Sequence, residues 1–494
     1  MTSALLPRTT PGWVAALRDP RTLRTEVLAG LVVALALIPE AISFSIIAGV
    51  DPRVGLFASF TMAVTIAVVG GRPAMISAAT GAVALVIAPL VAEHGLPYLI
   101  AAVLLGGLLQ IALGLLGVAR LMRFVPRSVM VGFVNALAIL IFAAQVPQLV
   151  DVPWLVYPMA AVGLLIIFGL PRLTTAVPAP LVAIVVLTAT AVAAGIDVPT
   201  VGDQGALPDS LPALLWPDVP FTLETLQIVL PYALGLALVG LMESLMTAKL
   251  VDDLTDTGSS KTRESVGQGV ANIVTGFFGG MGGCAMIGQT MINVRSGART
   301  RVSTFLAGVF LLVLVVALGD LVAVIPMAAL VAVMVFVSIA TFDWHSVRTL
   351  RRMPRSETAV MLVTVAVVLA TDNLAIGVGV GVLTACVLFA RRVAHLVTVT
   401  GGEVVDGTRT YVVRGALFFA STNDLVGQFD YGTDPAHVVV DLSGAHVWDA
   451  SSVAVLDAIE HKYAARGTVV DVVGLTDETG HYHRRLAGQL GGGH

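Results

Sequence analysis

The chain has 494 residues, of which 57% are hydrophobic and only 12% are charged, and its mean hydropathy is +0.92. Soluble domains carry about 25% charged residues, so this composition excludes a soluble globular protein and indicates a polytopic membrane protein. The net charge of −4 does not suggest a nucleic-acid partner, and two cysteines, Cys284 and Cys386, are too few for a disulfide framework or a metal cluster.

The chain divides by composition into three parts. Residues 1–26 lack the apolar core and cleavage site of a signal peptide and are predicted to be a cytoplasmic N-terminal lead-in. Residues 27–400 are a succession of apolar segments and predict a transport domain that spans a lipid membrane. Residues 401–494 have the composition of a soluble domain, which we expect to lie in the cytoplasm.

Fourteen apolar segments are predicted to span the membrane, seven on each side of the polar loop 197–224. The first seven form a repeat over about residues 27–196, and the second seven form a repeat over about residues 226–396. Because seven is odd, the second half is inverted relative to the first, which is the setting of an inverted-topology repeat. The predicted spans are 27–47, 54–70, 75–93, 97–119, 127–148, 154–170, 178–196, 226–250, 265–279, 286–297, 302–319, 321–340, 357–371 and 375–396.

The distribution of basic residues predicts the orientation of these spans. If the N-terminus is cytoplasmic, the inner loops contain nearly all lysines and arginines of the transport domain, and the outer loops contain only Arg53. By the positive-inside rule, both termini are predicted to be cytoplasmic. The strong preference for arginine over lysine is typical of a high-GC bacterial genome, so the predicted location is the inner membrane of a bacterium.

Two acidic residues lie inside predicted spans. Glu40 is about halfway along the first span, and Glu243 is the only acid in the apolar run 227–248. A carboxyl group in a membrane is energetically costly, so it is expected to face a protein interior or a water-filled cavity and often marks a substrate or proton pathway. The alternative is a carboxyl group that is only hydrogen-bonded to a neighbouring helix. Asn135 and Gln145, on the fifth span, are predicted to form hydrogen bonds between helices and not to bind a ligand.

Two short segments in corresponding positions of the halves form the candidate binding site. The third span opens with residues 70–81 and the tenth with residues 279–290, and both stretches are rich in small and polar residues. Small residues let a ligand approach the backbone, and the free N–H groups of a helix N-terminus favour an anion. The alternative is close packing between helices. The candidate substrate-binding residues in these segments are Ser77, Ala79, Thr80, Gly81, Gly288, Gln289 and Thr290.

The order of several motifs resembles a known family. Residues 39–44 (PEAISF), followed by residues 52–57 (PRVGLF), resemble the first-span signature of the sulfate permease (SulP) transporters, which are called solute-carrier family 26 in animals. The segments 243–254, 267–272 and 293–300 are placed as in this family. Each motif is modest by itself, whereas their order is specific and covers nearly the whole chain.

The C-terminal part is similar to the STAS domain, which is shared with anti-sigma factor antagonists. The similar segments are 414–419 (RGALFF), 438–443 (VVVDLS) and 449–452 (DASS). In soluble relatives the serine of Asp-x-Ser is phosphorylated, and Ser451 matches it, so Ser451 is a candidate regulatory residue. The alternative is that Ser451 or Asp449 caps a helix predicted over residues 452–466. Strands are predicted at residues 411–413, 437–441 and 469–473.

The resemblance implies a fold and a mechanism. It implies an α-helical membrane protein with fourteen spans in a 7+7 inverted repeat, plus a small cytoplasmic α/β STAS domain. As in uracil permeases, spans 1–4 and 8–11 would form a core domain, and spans 5–7 and 12–14 a gate domain. The anion would bind between spans 3 and 10, next to spans 1 and 8, which adds Phe44 to the candidate substrate-binding residues. Transport would be an elevator-like motion of the core against the gate in a homodimer.

The sequence departs from the family pattern at one position that affects how a cation is coupled to anion transport. Many animal relatives have an arginine in the tenth-span motif, where this sequence has Gln289. Without that positive charge we expect a co-transported cation near Glu243. The leading interpretation is proton-coupled symport of a small carboxylate or dicarboxylate, with Glu40 as a second candidate proton carrier. The rival is sodium-coupled uptake of bicarbonate or sulfate, with sodium bound by Glu243, Thr247 and backbone carbonyls.

Other classes of function are disfavoured. A passive channel or an uncoupled exchanger needs no titratable group at its site, so Glu243 counts against both. No nucleophile–base pair, metal cluster or phosphate-binding loop indicates an enzyme, and no cofactor is expected apart from the coupling ion. A nucleobase transporter of the same fold is disfavoured by the STAS-like tail.

Overall fold

The computed structural model describes residues 13–117, 125–174, 178–371, 373–394, 397–419, 421 and 425–475. The chain forms two compact units, Met1–Val382 and Leu383–His494. Apolar helices dominate the first unit, and a four-stranded sheet lies in the second. The domain boundary at residue 400 stays a prediction, because the compact units divide within the last helix of the predicted transport domain.

Caps and prolines mark the start of several apolar helices. Asp19 accepts the N–H groups of Arg21 and Thr22 beside Pro20, and Thr222 accepts the N–H of Thr225. In chain order the described helices before the sheet are α1 (Trp13–Arg18), α2 (Pro20–Ile47), α3 (Pro52–Val69), α4 (Gly81–Leu115), α5 (Arg127–Ala143), α6 (Val156–Gly169), α7 (Ala179–Ala194), α8 (Leu223–Thr255), α9 (Lys261–Phe277), α10 (Ile287–Arg295), α11 (Arg301–Ala317), α12 (Gly319–Ala323), α13 (Met327–Thr341), α14 (Trp344–Thr349), α15 (Arg355–Thr371) and α16 (Leu374–Ala394).

The described helices agree with the predicted spans in order and position. Each predicted span overlaps a described helix. Six helices in the described residues, α2, α3, α4, α5, α8 and α16, are long and apolar enough to cross a membrane, and α6, α7, α11 and α13 are shorter apolar helices. The number of fourteen bilayer crossings stays a prediction, because length and composition qualify only these six.

The start predicted for the third span is wrong, whereas the tenth span, predicted over residues 286–297, agrees within two residues with α10. The third span, predicted from residue 75, becomes helical only at Gly81, and the extended backbone before it includes the two-residue strand β1 (Ser77–Ala78). The tenth span is only the nine-residue helix α10, which is too short to cross a membrane. It is preceded by a second short strand, β2 (Cys284–Ala285). The backbone before α4 and the backbone before α10 are extended because β1 and β2 pair with each other.

The helical backbone is broken at two further places, one between the third and fourth predicted spans and one inside the twelfth. α4 runs through the third and fourth predicted spans and turns sharply at Gly95, whose φ of 76° suits a residue without a Cβ atom. The twelfth predicted span, 321–340, is split between α12 and α13. Pro326 is the N-cap of α13 and favours a new helix start over continuation of the preceding helix.

The helices of the first unit pack into two groups. The first group consists of α2, α3, α4, α8, α9, α10 and α11, and the second of α5, α6, α7, α13 and α15. Glycines allow close approach in the first group: a Cβ atom on Gly107 of α4 would lie 2.7 Å from the carbonyl oxygen of Gly269 on α9. The two groups correspond to the core and gate domains that the resemblance implies, so the helical transporter fold is confirmed.

The second unit contains an α/β domain. Its sheet has the spatial order β3-β4-β5-β6, with β3 antiparallel to β4 and the remaining pairs parallel. Leu456, Ile459 and Tyr463 of helix α17 (Ala450–Ala464) are buried in the core with side chains of the sheet. The predicted strands are all present, two of them longer than expected. The strands are β3 (Thr398–Gly401), β4 (Thr408–Leu417), β5 (His437–Val447) and β6 (Val469–Val473).

The contacts at the start of α17 decide between Asp449 and Ser451 as the residue that caps this helix. Asp449 is the N-cap, and its Oδ1 accepts the N–H of Ser452 at 3.0 Å and the hydroxyl of Ser452 at 2.8 Å. Ser451 lies in the first turn, is exposed and forms no capping bond. A capping role for Ser451 is therefore wrong, and its regulatory role stays a prediction.

Candidate functional site

The candidate site is formed where β1 and β2 meet. The two strands pair antiparallel, with Ser77 opposite Ala285. Shortly after the strands, α4 begins at Gly81 and α10 begins at Ile287. The N-termini of two helices, one from each half of the chain, therefore lie close together. Their partial positive charges favour an anion at this place.

A glycine at position 283 is required by this pairing. A Cβ atom on Gly283 would lie 2.0 Å from the carbonyl oxygen of Ala78, which is far inside van der Waals contact. Its neighbour Gly282 has a φ of 75°, in the left-handed region that suits glycine. The glycine run at residues 279–283 thus allows close approach between two segments of backbone.

Two serines on neighbouring helices fix the strands. Oγ of Ser59, on α3, accepts the N–H of Ala79 at 3.3 Å. Oγ of Ser244, on α8, accepts the N–H of Ala285 at 3.0 Å. Both serines are fully buried. They hold the extended backbone in place, so the helix N-termini that follow are positioned by the first group of helices.

A buried amide fixes the backbone just before β2. Nδ2 of Asn272, on α9, donates to the carbonyl of Gly283 at 3.0 Å and to Oε1 of Gln110 at 2.9 Å. Oδ1 of Asn272 accepts the N–H of Gly283 at 2.8 Å. One side chain thus satisfies both backbone groups of the glycine that approaches β1 most closely.

The predicted binding residues Ser77 and Thr290 already have protein partners. Oγ of Ser77 accepts a hydrogen bond from Nε2 of Gln268 at 2.7 Å. Oγ1 of Thr290 accepts the N–H of Ile76 at 3.0 Å. These bonds join the second half of the chain to the β1 segment. Contact of either hydroxyl with a substrate stays a prediction.

The carboxyl group of Glu243 reaches the paired strands through a thiol. Sγ of Cys284 donates to Oε2 of Glu243 at 2.9 Å and lies 3.1 Å from Oγ1 of Thr80. All three side chains are buried. Polar contacts therefore run from α8 to the N-cap of α4. Glu243 faces the protein interior, which is one of the two environments expected for an intramembrane acid.

Thr247 is not part of this polar contact. Its Oγ1 donates to the backbone carbonyl of Glu243, one turn earlier on α8, at 2.8 Å. The structure therefore places Thr247 next to the backbone of Glu243. Among the described residues, no group of three or more His, Cys, Asp or Glu side chains could hold a metal ion.

The first N–H groups of α4 and α10 are available to a ligand. Among the described residues, the N–H groups of Gly81 and Ala82 on α4 have no hydrogen-bond partner, and neither do those of Ile287, Gly288 and Gln289 on α10. Gly288 is exposed, and a Cβ atom there would meet nothing within 4 Å. Open space thus lies beside Gly288, in the first turn of α10.

Phe44 borders the start of α4. A Cβ atom on Gly81 would lie 2.9 Å from the ring of Phe44 and 3.1 Å from Cδ1 of Ile141. Phe44 lies on α2 in the first group of helices, whereas Ile141 lies on α5 in the second. The N-terminus of α4 is therefore enclosed by one apolar side chain from each group, and only glycine fits there without displacing them.

Gln289 and Glu40 are neighbours. The amide of Gln289 interacts with the carboxyl group of Glu40, although Nε2 has no hydrogen bond of good geometry within the described part of the chain. Gln289 is only 1% exposed. No described lysine or arginine forms a hydrogen bond or ion pair with any predicted site residue, so the site offers helix N-termini, neutral polar groups and the carboxyl groups of Glu40 and Glu243 without a fixed cation.

Several residues that hold this site have no role predicted from the sequence, among them Ser59, Ser244, Gln268 and Asn272. Cys284 is predicted only as a thiol without a disulfide or metal role. The signal available for Cys284 was its place between the glycine run and the start of the tenth span. Ser244, Gln268 and Asn272 lie in the family-like segments 243–254 and 267–272, which signals importance but not their partners. Ser59 carries no such signal.

Residues 23–158 and 148–364 match the sulfate permease family, and residues 402–487 match the STAS domain. The chain belongs to the sulfate permease family. A relative named "Putative sulfate transporter YbaR", from Bacillus subtilis (strain 168), is 56% identical over 94% of this chain and 97% of its own length. The bicarbonate transporter BicA from Synechocystis sp. is 28% identical over 93% of this chain and 89% of its own length.

Solved structures of sulfate permease relatives share the fold. The transmembrane domain of a cyanobacterium bicarbonate transporter BicA matches with a TM-score of 0.64 and 28% identity, covering 74% of this chain and 98% of that one. The murine Slc26a9 anion transporter matches in fold, with a TM-score of 0.80 and 16% identity over 94% of this chain and 87% of that one. The protein is thus an anion transporter of this family and a multi-pass membrane protein, and the expectation that it is not an enzyme is confirmed.

Proposed function

We propose that this sulfate permease family member is a secondary active symporter that carries a small oxyanion together with a proton. One observation carries the proposal: two helix N-termini with unpaired N–H groups meet beside the buried carboxyl group of Glu243, without a fixed cation. The proposal specifies the coupling and the substrate class of an anion transporter whose family is established.

The charge of Glu243 links binding of the anion to binding of a proton. An ionised Glu243 beside the helix N-termini would repel an incoming anion, and this repulsion is strong where water is largely excluded. Protonation removes the repulsion, and the N–H groups and helix dipoles then bind the anion. A site without lysine or arginine thus binds the anion best when it also takes up a proton, which is the requirement for symport.

Sodium is a less suitable coupling ion for the observed contacts. A hard cation needs several oxygen ligands around one point. The Glu243 carboxylate contacts a thiol, and the hydroxyl of Thr247 donates to the backbone of its own helix. A proton needs only one acceptor oxygen, which Glu243 supplies. Sodium coupling is kept as the rival that the experiment must exclude.

Sulfate and bicarbonate are the first substrates to test. They are the anions named for YbaR and BicA, and the backbone donors at Gly81, Gly288 and Gln289 suit the oxygens of either one. Carboxylates, including the dicarboxylates that the sequence analysis favours, present the same kind of oxygen atoms. A dicarboxylate therefore belongs in the same test.

The remaining features of the proposal follow the family fold. The first group of helices, which carries β1, β2 and Glu243, would move against the second group in an elevator-like motion. The protein would act as a homodimer in the bacterial inner membrane, with both termini in the cytoplasm. The second candidate function is an uncoupled anion exchanger or channel, which the buried Glu243 disfavours.

The test is uptake into sealed liposomes of labelled sulfate, bicarbonate and fumarate. An inward proton gradient and a sodium gradient are applied separately to the wild type, to Glu243→Gln and to Glu224→Gln. Glu224 is an exposed acid in the first turn of the same helix, so it is a matched control. We expect proton-driven uptake in the wild type and the control, and loss of gradient dependence in Glu243→Gln. Sodium-driven uptake would establish the rival, and equal uptake by all three proteins regardless of gradient would leave an exchanger or channel.

A further inference from the structure

A cavity lies between the two groups of helices, close to the candidate site but separate from it. It has a volume of about 270 Å³ and is bordered by the C-terminal end of α2, the residues after α5 and the start of α13. Its polar lining residues are Ser43, Gln145 and Gln148. Binding sites for drug-sized molecules occupy about 300–1,000 Å³, so this smaller space suits an inorganic anion with some water.

Gln145 is a buried amide without a protein partner. It is 5% exposed and lines the cavity, and its side chain forms no hydrogen bond with any described residue. Asn135 and Gln145 are both predicted to form hydrogen bonds between helices. Asn135 does so: its Nδ2 donates to Oγ of Ser346 at 3.0 Å, and its Oδ1 accepts the N–H of Asp343 at 2.8 Å. The prediction is confirmed for Asn135 and wrong for Gln145, whose amide forms no bond with another helix and is accessible from the cavity.

Two further features favour an anion as that partner. Gln148 is half-buried, lines the same cavity and adds a second carboxamide. The 15-residue helix α13 begins at Met327, which also lines the cavity, and its N-cap, Pro326, supplies no side-chain cap. The N–H of Met327 is bonded to the carbonyl of Pro199 and that of Ala329 to the carbonyl of Pro326, so α13 contributes the positive end of its dipole to the cavity wall but not these two N–H donors. Ser43 does not add a donor, because its hydroxyl donates to the carbonyl of Pro39 at 2.8 Å.

No negative group opposes an anion here. None of the residues that line the cavity is acidic or basic. α2 ends at this cavity, but the carbonyls of Phe44, Ser45 and Ile46 accept the N–H groups of Ala48, Val50 and Gly49. These bonds reduce the negative charge of the helix C-terminus. Because the cavity offers neutral donors and no cation, we expect it to bind a small oxyanion weakly and to release it rapidly.

We propose that Gln145 and Gln148 form a second, low-affinity site that receives a small oxyanion on its way to or from the site at α4 and α10. Phe44 links the two places, because its ring lies against Gly81 while the preceding residue, Ser43, lines the cavity. The inference rests on the proposed transport of an oxyanion. It adds a place where the anion is held between the two groups of helices before it reaches the paired helix N-termini.

The experiment measures initial uptake rates over a concentration series of labelled sulfate, bicarbonate and fumarate in liposomes. The variants are Gln145→Leu, Gln145→Glu and Gln148→Glu. The control is Gln227→Glu, which introduces the same charge at an exposed position on α8 away from the cavity. Equilibrium binding of the same anions to detergent-purified protein is measured in parallel, because it does not require transport.

We expect Gln145→Leu to raise KM by about threefold to tenfold, which corresponds to the loss of one neutral hydrogen bond. Gln145→Glu and Gln148→Glu should raise KM further because they add a negative charge, while the maximal rate changes much less. Gln227→Glu should match the wild type. If Gln145→Glu does not fold, the half-buried Gln148→Glu variant gives the decisive comparison.

Unchanged KM and unchanged binding in both glutamate variants would overturn the second site while leaving the proposed function intact. If the wild type transports none of the anions but binds one, and Gln145→Glu weakens that binding, the second site stands and the proposed function fails. Absence of both binding and transport in the wild type would overturn both proposals.

Discussion

The thiol of Cys284 donates to the carboxylate of Glu243 at 2.9 Å, and this contact joins β2 to α8. The partner of the buried acid is therefore a neutral, weak donor. A lysine or arginine at this place would hold the carboxyl group ionised, whereas a thiol leaves protonation available as a step of transport. The contact connects the proposed coupling residue directly to the strand that precedes the α10 N-terminus.

Removal of this thiol should shift the pH dependence of uptake. A hydrogen bond to the ionised carboxylate stabilises the charged form, so Cys284→Ala should let Glu243 stay protonated at higher pH. We expect the pH of half-maximal uptake to rise by about half a unit to one unit, which corresponds to one neutral hydrogen bond. Cys284→Ser introduces a stronger donor and should shift it downward.

The measurement is initial anion uptake in liposomes over a pH series. Cys386→Ala is the matched control, because Cys386 is an exposed cysteine on α16, and its profile should coincide with that of the wild type. If the Cys284→Ala and Cys284→Ser profiles also coincide with the wild type, the thiol has no influence on the titration of Glu243.

Two glycines near β2 should respond to the same substitution in opposite ways. Gly283→Ala brings a methyl group to within 2.0 Å of the Ala78 carbonyl oxygen, so β1 and β2 cannot keep their pairing and the protein should lose thermal stability or fail to fold. Gly288→Ala meets no atom within 4 Å, and alanine favours a helix over glycine, so stability should be unchanged or slightly higher.

Gly288→Ala should nevertheless reduce uptake, because its methyl group enters the open space beside the first turn of α10, where the anion is proposed to bind. We expect the ratio kcat/KM to fall by about tenfold, as for a misplaced methyl group in a binding site. Thermal unfolding in detergent and liposome uptake are measured for both variants. Wild-type uptake by a stable Gly288→Ala protein would show that the anion does not bind in front of α10.

The sequence predicts the helices of this protein better than the contacts between them. Apolar runs identify the membrane helices because burial in lipid requires about 20 apolar residues, and small-residue stretches show where helices are interrupted. The pairing of Ser77 with Ala285 is not predictable in this way. It depends on contacts between segments from different halves of the chain, such as Ser244 with Ala285, that leave no local periodicity.

Asn135 and Gln145 illustrate the same limit for single residues. Both are amides on the fifth predicted span, and the sequence assigns them one role. Asn135 finds partners in the segment at Asp343 and Ser346, about two hundred residues later, whereas Gln145 faces a cavity. Only the positions of distant segments distinguish a structural amide from one that is free to bind a ligand.

Glu26 should contribute strongly to the stability of the first unit. Its buried carboxylate accepts the N–H groups of Arg299 at 2.7 Å, Thr300 at 3.0 Å and Ser303 at 3.0 Å, at the start of α11. In Glu26→Gln, an amide NH₂ replaces one acceptor oxygen and opposes a backbone donor. We expect a loss of about 1.5–3 kcal/mol, the value for a hydrogen bond to a charged group.

Thermal unfolding in detergent tests the role of Glu26. Glu357→Gln is the control, since Glu357 is an exposed acid in the first turn of α15. The control should unfold at the wild-type temperature, whereas Glu26→Gln should unfold several degrees lower. Equal unfolding temperatures for both variants would mean that the carboxylate of Glu26 does not hold the start of α11 in place.

Asp434 organises the core of the α/β domain. Its side chain is only 1% exposed, and it accepts hydrogen bonds from Nη1 of Arg409 at 2.8 Å and from the hydroxyls of Tyr411, at 2.8 Å, and Tyr463. Burial raises the pKa of Tyr463, and its bond to the Asp434 carboxylate raises it further. The Tyr463 hydroxyl therefore remains a protonated donor, and loss of this bond should weaken the domain.

We expect Tyr463→Phe to destabilise the domain by about 1.5–3 kcal/mol, because the lost bond goes to a buried charge. Tyr431→Phe is the matched comparison: the Tyr431 hydroxyl donates at 2.9 Å to the neutral carbonyl of Val426, and such a bond contributes about 0.5–1.5 kcal/mol.

Hydrogen exchange of β4 and β5 in the full-length protein, followed by mass spectrometry, measures both effects in the same sheet. Tyr463→Phe should speed exchange in these strands more than Tyr431→Phe does. Equal protection in the two variants would mean that the buried carboxylate of Asp434 adds no stability beyond that of an ordinary backbone acceptor.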